Sequence, residues 1–225
     1  MALTMNPFHP APEQLPAEIA VFPLSGALLL PGGKLPLNIF EPRYLAMVLD
    51  SLAEGRMLGM IQGNPAAPTT AQGEALYQVG CLGRVSSFSE TEDGRLLITL
   101  TGLVRFRVAE ELPPRRGYRR VRANYGPYLD DLDLPEPGDL PREAILAALK
   151  PYFAAKGIDA NWSAIEQMSC PSLVTTLSMV CPFAVAEKQA LLEAATATER
   201  ADDLIALLRM AALGGGELPP GGRPS

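Results

Sequence analysis

The chain has 225 residues, of which 48% are hydrophobic and 20% are charged, and its formal net charge is −6. This length is enough to bury a core in one large domain or two small ones, and the acidic balance gives no support to general nucleic-acid binding. No apolar run approaches the ~20 residues that a membrane-spanning helix needs, so we expect no membrane partner. The first residues lack the basic and apolar regions of a secretory signal.

The cysteine and histidine content excludes several kinds of chemistry. The three cysteines, Cys81, Cys170 and Cys181, are widely spaced and odd in number, which favours reduced thiols in the cytoplasm over a disulfide framework. The single histidine, His9, lies in residues 1–17, which we expect to form a flexible N-terminal tail. Most imidazole-dependent metal and nucleophile chemistry is therefore excluded, and we expect no cofactor, no metal and no catalytic residue.

Residues 18–126 alternate in hydrophobicity like a set of short strands. Pro42 stands at a favoured first helical position. The apolar stripe that follows it, before a stop at Gly55, consists of Leu45, Val48, Leu49 and Leu52. The dipeptide Asp93-Gly94 predicts a hairpin. Many short strands with one helix favour a small, partly closed β-barrel. The predicted strands lie near residues 19–22, 35–40, 57–62, 79–85, 96–101, 104–108 and 118–125.

Residues 127–140 predict an acidic, proline-rich linker, because they show no hydrophobic period. Their carboxylates do not match a calcium-binding loop, since the sixth position counted from Asp131 is Glu136 where glycine is required. We interpret these side chains as solvated. They are Asp130, Asp131, Asp133, Glu136 and Asp139.

Residues 141–213 have the hydrophobic period of helices and predict a helical subdomain. Pro141 opens the first of these helices and Gly157 lies just beyond its end. Thr196 with Glu199 has the spacing of a capping box at the start of the last one. Residues 214–225 are rich in proline and glycine, so we expect a disordered tail. The sequence as a whole predicts an α+β protein, in which a small β-barrel precedes a helical bundle.

Short motifs of turn and core residues follow one another along the chain. A strand ends in Pro23-Leu24, and a later strand with a Leu-Pro-Leu core leads into the first helix. Val-Gly, Asp-Gly and Gly-x-x-Arg-Phe motifs come next, and a charged helical segment closes the series. Taken in this order, the motifs resemble the N-terminal substrate-recognition domain of the Lon family of ATP-dependent proteases. They occupy residues 19–24, 35–44, 76–80, 93–106 and 187–200.

This resemblance implies both a fold and a function. The fold is a PUA-like β-barrel followed by helices, and the function is recognition of polypeptides that are unfolded or carry degradation signals. A separate ATP-dependent protease is then the implied partner. The chain has no P-loop, because Gly33-Lys34 lacks both the earlier glycine and the following Ser or Thr, and the family's peptidase region is missing. We therefore expect a stand-alone, non-catalytic polypeptide-binding protein linked to degradation or protein quality control.

Two segments supply candidates for polypeptide binding, which needs an apolar groove or an open strand edge. Three leucines in the proline-rich residues 23–36 either form the lip of such a groove or fold back into the core, and the sequence leaves both open. At the first helix, Arg43 and Tyr44 are residue types that anchor interfaces. The alternative there is a helix start, with Glu41 as the cap and Arg43 paired with the barrel. The candidates are Leu28, Leu29, Leu30, Phe40, Arg43 and Tyr44.

Seven arginines crowd residues 105–122 of an otherwise acidic chain. Our alternative functional hypothesis is an RNA-binding patch on a PUA-like barrel. The plainer interpretation is a solvated hairpin whose charges discourage aggregation, and nucleic acid is not the partner we expect. The candidates for a basic patch are Arg105, Arg107, Arg119, Arg120 and Arg122.

Overall fold

The computed structural model describes residues 10–133 and 140–213, so that His9, Glu136, Asp139 and the predicted tail 214–225 lie outside the described residues. The strands are β1 (Glu18–Pro23), β2 (Lys34–Ile39), β3 (Met57–Ile61), β4 (Val79–Glu90), β5 (Leu96–Arg115) and β6 (Tyr118–Asn124). The α-helices are α1 (Pro42–Ala53), α2 (Arg142–Lys156), α3 (Trp162–Gln167), α4 (Cys170–Val180), α5 (Val185–Glu193) and α6 (Ala197–Leu213). Short 3-10 segments cover Pro12–Gln14 and Gly126–Leu132.

The strands form one sheet in the order β2-β5-β4-β3-β1-β6, and β6 also pairs with β5. This extra pairing closes five of the strands into a ring, and among the described strands β2 pairs with β5 alone. Strands β1 and β3 run parallel, whereas the other neighbours run antiparallel. The α+β class predicted from the sequence is confirmed.

Strand β5 has 20 residues, and it corrects the prediction of two strands over residues 96–101 and 104–108. Its first part pairs with β2 and its last part pairs with β6. Gly102 lies where the partner changes, and it exchanges backbone hydrogen bonds with the Gly32-Gly33 turn at 3.0 and 2.9 Å. The predicted break between two strands is therefore a change of neighbour within one strand.

The ring encloses an apolar core. Val21, Leu82, Val104, Phe106 and Val121 are among its fully buried members. The Phe106 ring packs directly against glycines in β3 and β4, at which an added Cβ would come within 2.9 Å of the ring. The absence of side chains at these glycines gives the aromatic ring its space inside the closed sheet.

Helix α1 begins at Pro42 as predicted, but its buried face is shifted from the predicted stripe, of which Val48 is buried and Leu45 and Leu52 are only partly buried. Tyr44, Met47 and Val48 are buried, whereas Leu49 of the predicted stripe is half exposed. The Tyr44 ring packs against Phe22 of β1 with ring centroids 4.2 Å apart. Aromatic packing therefore fixes which side of α1 faces the sheet.

The chain folds as two compact units, of which the first comprises the sheet, residues 10–133, and residues 175–193. Helix α5 belongs to this first unit, although the sequence grouped it with the other helices. A buried amide network attaches it, because Gln62 donates to Gln189 at 3.0 Å and Gln189 donates to the Val79 carbonyl at 3.1 Å. The domain limits drawn from the sequence remain a prediction.

The second unit comprises residues 140–174 and 194–213. Helix α2 packs on α6 through buried residues that include Leu149 and Leu204. The Arg142 guanidinium of α2 donates to the Met168 carbonyl at 2.7 Å, and it thereby satisfies a backbone group at the end of α3.

Candidate functional site

Arg105, a candidate for the basic patch, lies in a buried ion pair instead. Its guanidinium donates to both carboxylate oxygens of Asp131 at 2.9 Å, and the two side chains are only 7% and 12% exposed. It also donates to the Leu192 carbonyl at 3.2 Å and stacks over the Tyr128 ring. The prediction that the linker carboxylates are solvated is therefore wrong for Asp131, whose side chain is only 12% exposed and pairs with Arg105 of β5.

Arg119 is similarly buried and paired. It makes a two-pronged contact with Glu111 on the neighbouring strand at 2.6 and 2.9 Å, and it donates to the Glu74 carbonyl at 2.7 Å. A guanidinium whose donors are occupied in this way presents no free charge to a phosphate. Arg119 therefore serves the packing of β5 and β6.

The remaining arginines of the predicted patch are more exposed. Arg120 donates to Glu18 at 2.6 Å, and Arg122 is paired with Glu18 and Glu110. Arg107 lies on the outside of β5. Acidic partners from β1 and β5 thus compensate most of the positive charge, which removes the main support for an RNA-binding patch.

The candidate leucines Leu28, Leu29 and Leu30 are all buried. Leu29 lies against Gly83 of β4, where an added Cβ would meet its methyl group at 2.7 Å. Of the two alternatives, these leucines follow the second and fold back into the core. They are unavailable to a polypeptide at the surface.

At the start of α1, Arg43 pairs locally with Glu41 at 2.9 Å and lies over the Tyr44 ring at 4.5 Å. Arg43 was expected to pair with the sheet, but its ion-pair partner is Glu41, two residues earlier in the chain. Tyr44 is buried, and burial raises the pKa of its hydroxyl above the usual value. Only the outer part of this segment is accessible.

Phe40, the residue that precedes this helix start, is 62% exposed. Leu97 of β5, 46% exposed, is the register partner of Asn38 in β2. Because side chains alternate along a strand, Pro36, Asn38 and Leu97 share one face of the sheet, and exposed Phe40 follows directly after the end of β2. We call Pro36, Phe40 and Leu97 the apolar face.

A shallow depression of about 470 Å³ lies on the same strands. It is lined by three consecutive residues from each of β2, β4 and β5, which mix apolar side chains with hydroxyls and an amide. Such a surface supplies apolar contact together with hydrogen-bonding groups, as peptide-binding surfaces require. The lining residues are Pro36, Leu37, Asn38, Ser87, Phe88, Ser89, Leu97, Ile98 and Thr99.

Phe40 is the one sequence candidate in the apolar face and does not line this depression, and Leu97 and Pro36 were not among the candidates. A signal for Leu97 was present. It alternates with buried Leu96 and Ile98 and shares its face with Thr99, so a leucine stands at a position where period 2 predicts a polar residue.

A second group of polar side chains joins α1 to the β5–β6 hairpin. The Tyr118 hydroxyl donates to Asp50 at 2.8 Å, and Arg116 donates to the other oxygen of the same carboxylate at 2.6 Å. Burial raises the pKa of Asp50, but these hydrogen bonds outweigh it and hold the pKa below its usual value. Burial and the hydrogen bond to Asp50 raise the pKa of Tyr118 to about 12.

The hydrogen bond between Tyr118 and Asp50 should make the stability of the protein depend on pH. Below pH ~10 tyrosine is neutral in both states, whereas between pH ~10 and about 12 the unfolded state loses its proton first. The stabilisation by Tyr118 is therefore present below pH ~10 and is lost as the pH rises through 12. We expect Tyr118→Phe to lower the free energy of unfolding by about 1.5 kcal/mol at pH 8, with a smaller difference at pH 11, in urea denaturation of both proteins. A difference that stays constant with pH would contradict this assignment.

The sequence also contains Ser178 and Lys188, a pair of residue types that occurs in serine–lysine dyads. Both are buried, and Lys188 donates to the carbonyls of Gly26 and Met179 at 2.7 and 3.1 Å. Burial lowers the pKa of Lys188. The lysine therefore ties the loop before β2 to helix α4, in a place that a substrate cannot reach.

The described residues lack two further features, a metal-binding cluster and a membrane-spanning helix. Residues 10–133 and 140–213 bring together no group of three or more His, Cys, Asp or Glu side chains able to hold a metal ion. Across the same ranges, every helix is too short or too polar to cross a bilayer.

The ring-shaped sheet with its accompanying helices is an α+β fold that solved structures share. It is similar to the Lon N-terminal domain protein from Xanthomonas campestris, with a TM-score of 0.59, 23% identity and coverage of 84% of this chain and 97% of that one. The N-terminal domain of Mycobacterium avium complex Lon protease matches with a TM-score of 0.59, 17% identity and coverage of 85% and 97%. These likenesses establish the fold.

Sequence comparison establishes the family. The model of the ATP-dependent protease La (LON) substrate-binding domain matches residues 18–210, and the chain belongs to this family. Lon protease from Anaeromyxobacter dehalogenans is 28% identical over 98 residues, which are 44% of this chain and 12% of the relative. Lon protease 2 from Sorangium cellulosum is 28% identical over 199 residues, which are 85% of this chain and 24% of the relative. The chain thus matches a quarter or less of the length of these relatives, and the resemblance seen in the sequence is confirmed.

Proposed function

We propose that this chain recognises polypeptides, unfolded or carrying degradation signals, through the apolar face, as a non-catalytic domain that delivers them to an ATP-dependent protease in the cytoplasm. The observation that carries the proposal is the exposure of Phe40 and Leu97 in a member of a substrate-binding family. The relatives are named Lon proteases, and this supports the choice of a protease as partner.

The chemistry of the apolar face supports polypeptide rather than nucleic acid. Burying apolar surface releases roughly 25 cal/mol per Å², and exposed aromatic side chains act as anchors of binding energy. Neighbouring Asn38, Ser87 and Thr99 supply hydrogen-bonding groups for peptide amides. Because apolar contact dominates, binding should tolerate salt, whereas phosphate recognition weakens steeply as salt increases.

The test is fluorescence anisotropy of a labelled polypeptide that has been reduced and alkylated to keep it unfolded, titrated with the protein at low and at physiological salt. We expect saturable binding that survives the higher salt. The double variant Phe40→Ser/Leu97→Ser should bind about tenfold or more weakly, because it removes two exposed anchors. Its stability should change little, since Phe40 is 62% and Leu97 46% exposed.

The matched control is Leu129→Ser/Met210→Ser, whose side chains are 39% and 61% exposed and lie outside β2, β4 and β5. It should bind like the wild type. Equal weakening by both double variants would show that general surface hydrophobicity, and not the apolar face, binds the polypeptide. Binding only at low salt, lost in Arg120→Ser/Arg122→Ser, would show that these more exposed arginines and not the apolar face bind the polypeptide.

A further inference from the structure

Strand β2 presents an open edge beside the apolar face. One edge pairs with β5 from Lys34 to Ile39. No other strand within residues 10–133 and 140–213 pairs with the opposite edge, since β2 ends the strand order. A row of backbone donors and acceptors on such an edge is a template for an added strand.

The pairing phase determines which residues direct their backbone groups outward. In an antiparallel pair, residues that bond to the partner alternate with residues that point away. Gly33, which directly precedes the first register pair Lys34–Thr101, accepts a hydrogen bond from the Gly102 N–H at 2.9 Å. The backbone N–H and carbonyl groups of Leu35 and Leu37, two and four residues after Gly33, point in the same direction, toward β5. Residues Lys34, Pro36 and Asn38 therefore point outward.

Pro36 agrees with this phase. Proline has no N–H, so at an outward position it costs no hydrogen bond to β5. The outer edge then offers the carbonyls of Lys34, Pro36 and Asn38 and the N–H groups of Lys34 and Asn38. No hydrogen bond to these backbone groups comes from the described part of the chain.

We infer that the outer edge of β2 captures an extended segment of the substrate polypeptide by strand addition, an inference that rests on the proposed function. An added strand would direct every second side chain to the side of Pro36, Phe40 and Leu97. The favoured substrate segment is therefore extended, free of proline where it meets Asn38, and apolar at alternate positions. Lys34 and Pro36 shorten the usable edge and guard against permanent pairing between copies, which suits reversible capture.

The test separates the backbone of Asn38 from its side chain. Asn38→Pro removes the outward N–H, at a position equivalent to that of Pro36, and leaves the pairing with β5 in place. Asn38→Ala removes the side-chain amide and keeps the N–H. In the anisotropy titration, we expect Asn38→Pro to raise the Kd of the unfolded polypeptide about three- to tenfold, and Asn38→Ala to leave it within about twofold.

A second measurement on the wild-type protein does not depend on how well Asn38→Pro folds. Saturation with the same polypeptide should slow hydrogen exchange of the Asn38 amide, as followed by NMR. Equal effects of the two substitutions, no effect of either, or unchanged exchange would each overturn strand addition while wild-type binding keeps the proposed function intact. Absence of wild-type binding would overturn both.

Discussion

Replacing Asp131 by alanine should lower the free energy of unfolding by about 3 to 5 kcal/mol, because it leaves a buried guanidinium without its carboxylate. Arg105 is 6% exposed and has Asp131 as its two-pronged partner. The substitution also removes the acceptor for the Arg105 backbone N–H at 2.9 Å. Urea denaturation monitored by circular dichroism measures the change.

A solvated ion pair provides the control. Arg122 and Glu110 form a pair whose side chains are half exposed, and Glu110→Ala should cost about 1 kcal/mol or less. The double variant Arg105→Met/Asp131→Leu should recover most of the stability lost in Asp131→Ala, because it removes both charges together. If Asp131→Ala and Glu110→Ala lowered the free energy of unfolding equally, the buried pair of Arg105 and Asp131 would contribute no more to stability than an exposed pair.

Local patterns were sufficient to predict most of the elements around the sheet. Pro42 begins α1, Asp93-Gly94 forms the turn between β4 and β5, and Gly157 ends α2 in a left-handed conformation. Each of these signals depends on a few neighbouring residues and on backbone preferences that hold in any context. The sequence therefore predicts where such elements begin and end.

Long-range pairing was beyond such patterns. Composition made Asp131 part of an acidic linker and period 2 made Arg105 a surface residue, yet the two meet across 26 positions of sequence. The alternation fails at Arg105 because the 3-10 segment Gly126–Leu132 and helix α5 cover the outer face of β5 there. The sequence of neither covering segment indicates that it packs on β5.

The candidate site shows the same division. Phe40 was found because it stands beside a helix start, whereas the departure from period 2 marks Leu97 as unusual and only its register with Asn38 places it on the apolar face. The leucines at 28–30 were ambiguous because an apolar loop can cover a core or extend from it. Their burial depends on the close approach of Leu30 to Gly102, which no periodicity reveals.

That approach makes Gly102→Ala the second substitution with a large expected effect. A Cβ at position 102 would lie 2.0 Å from the Leu30 carbonyl oxygen and 2.8 Å from its carbon. Both are backbone atoms, so the loop itself must move, which weakens the bonds from Gly102 to Gly32 and Gly33. We expect a loss of about 3 kcal/mol in the free energy of unfolding, measured by urea denaturation.

Gly126→Ala is the matched control, because neither glycine adopts a positive φ and both substitutions add one methyl group. At Gly126 the nearest atom is the Asn124 side-chain oxygen at 3.2 Å, and that side chain can move aside. The control should therefore cost less than about 1 kcal/mol. Comparable losses at both positions would show that the cost comes from the helix or strand preference of alanine. A large loss at Gly102 alone would identify the backbone contact between β5 and Leu30 as its source, the contact that lies beside the buried leucines at 28–30.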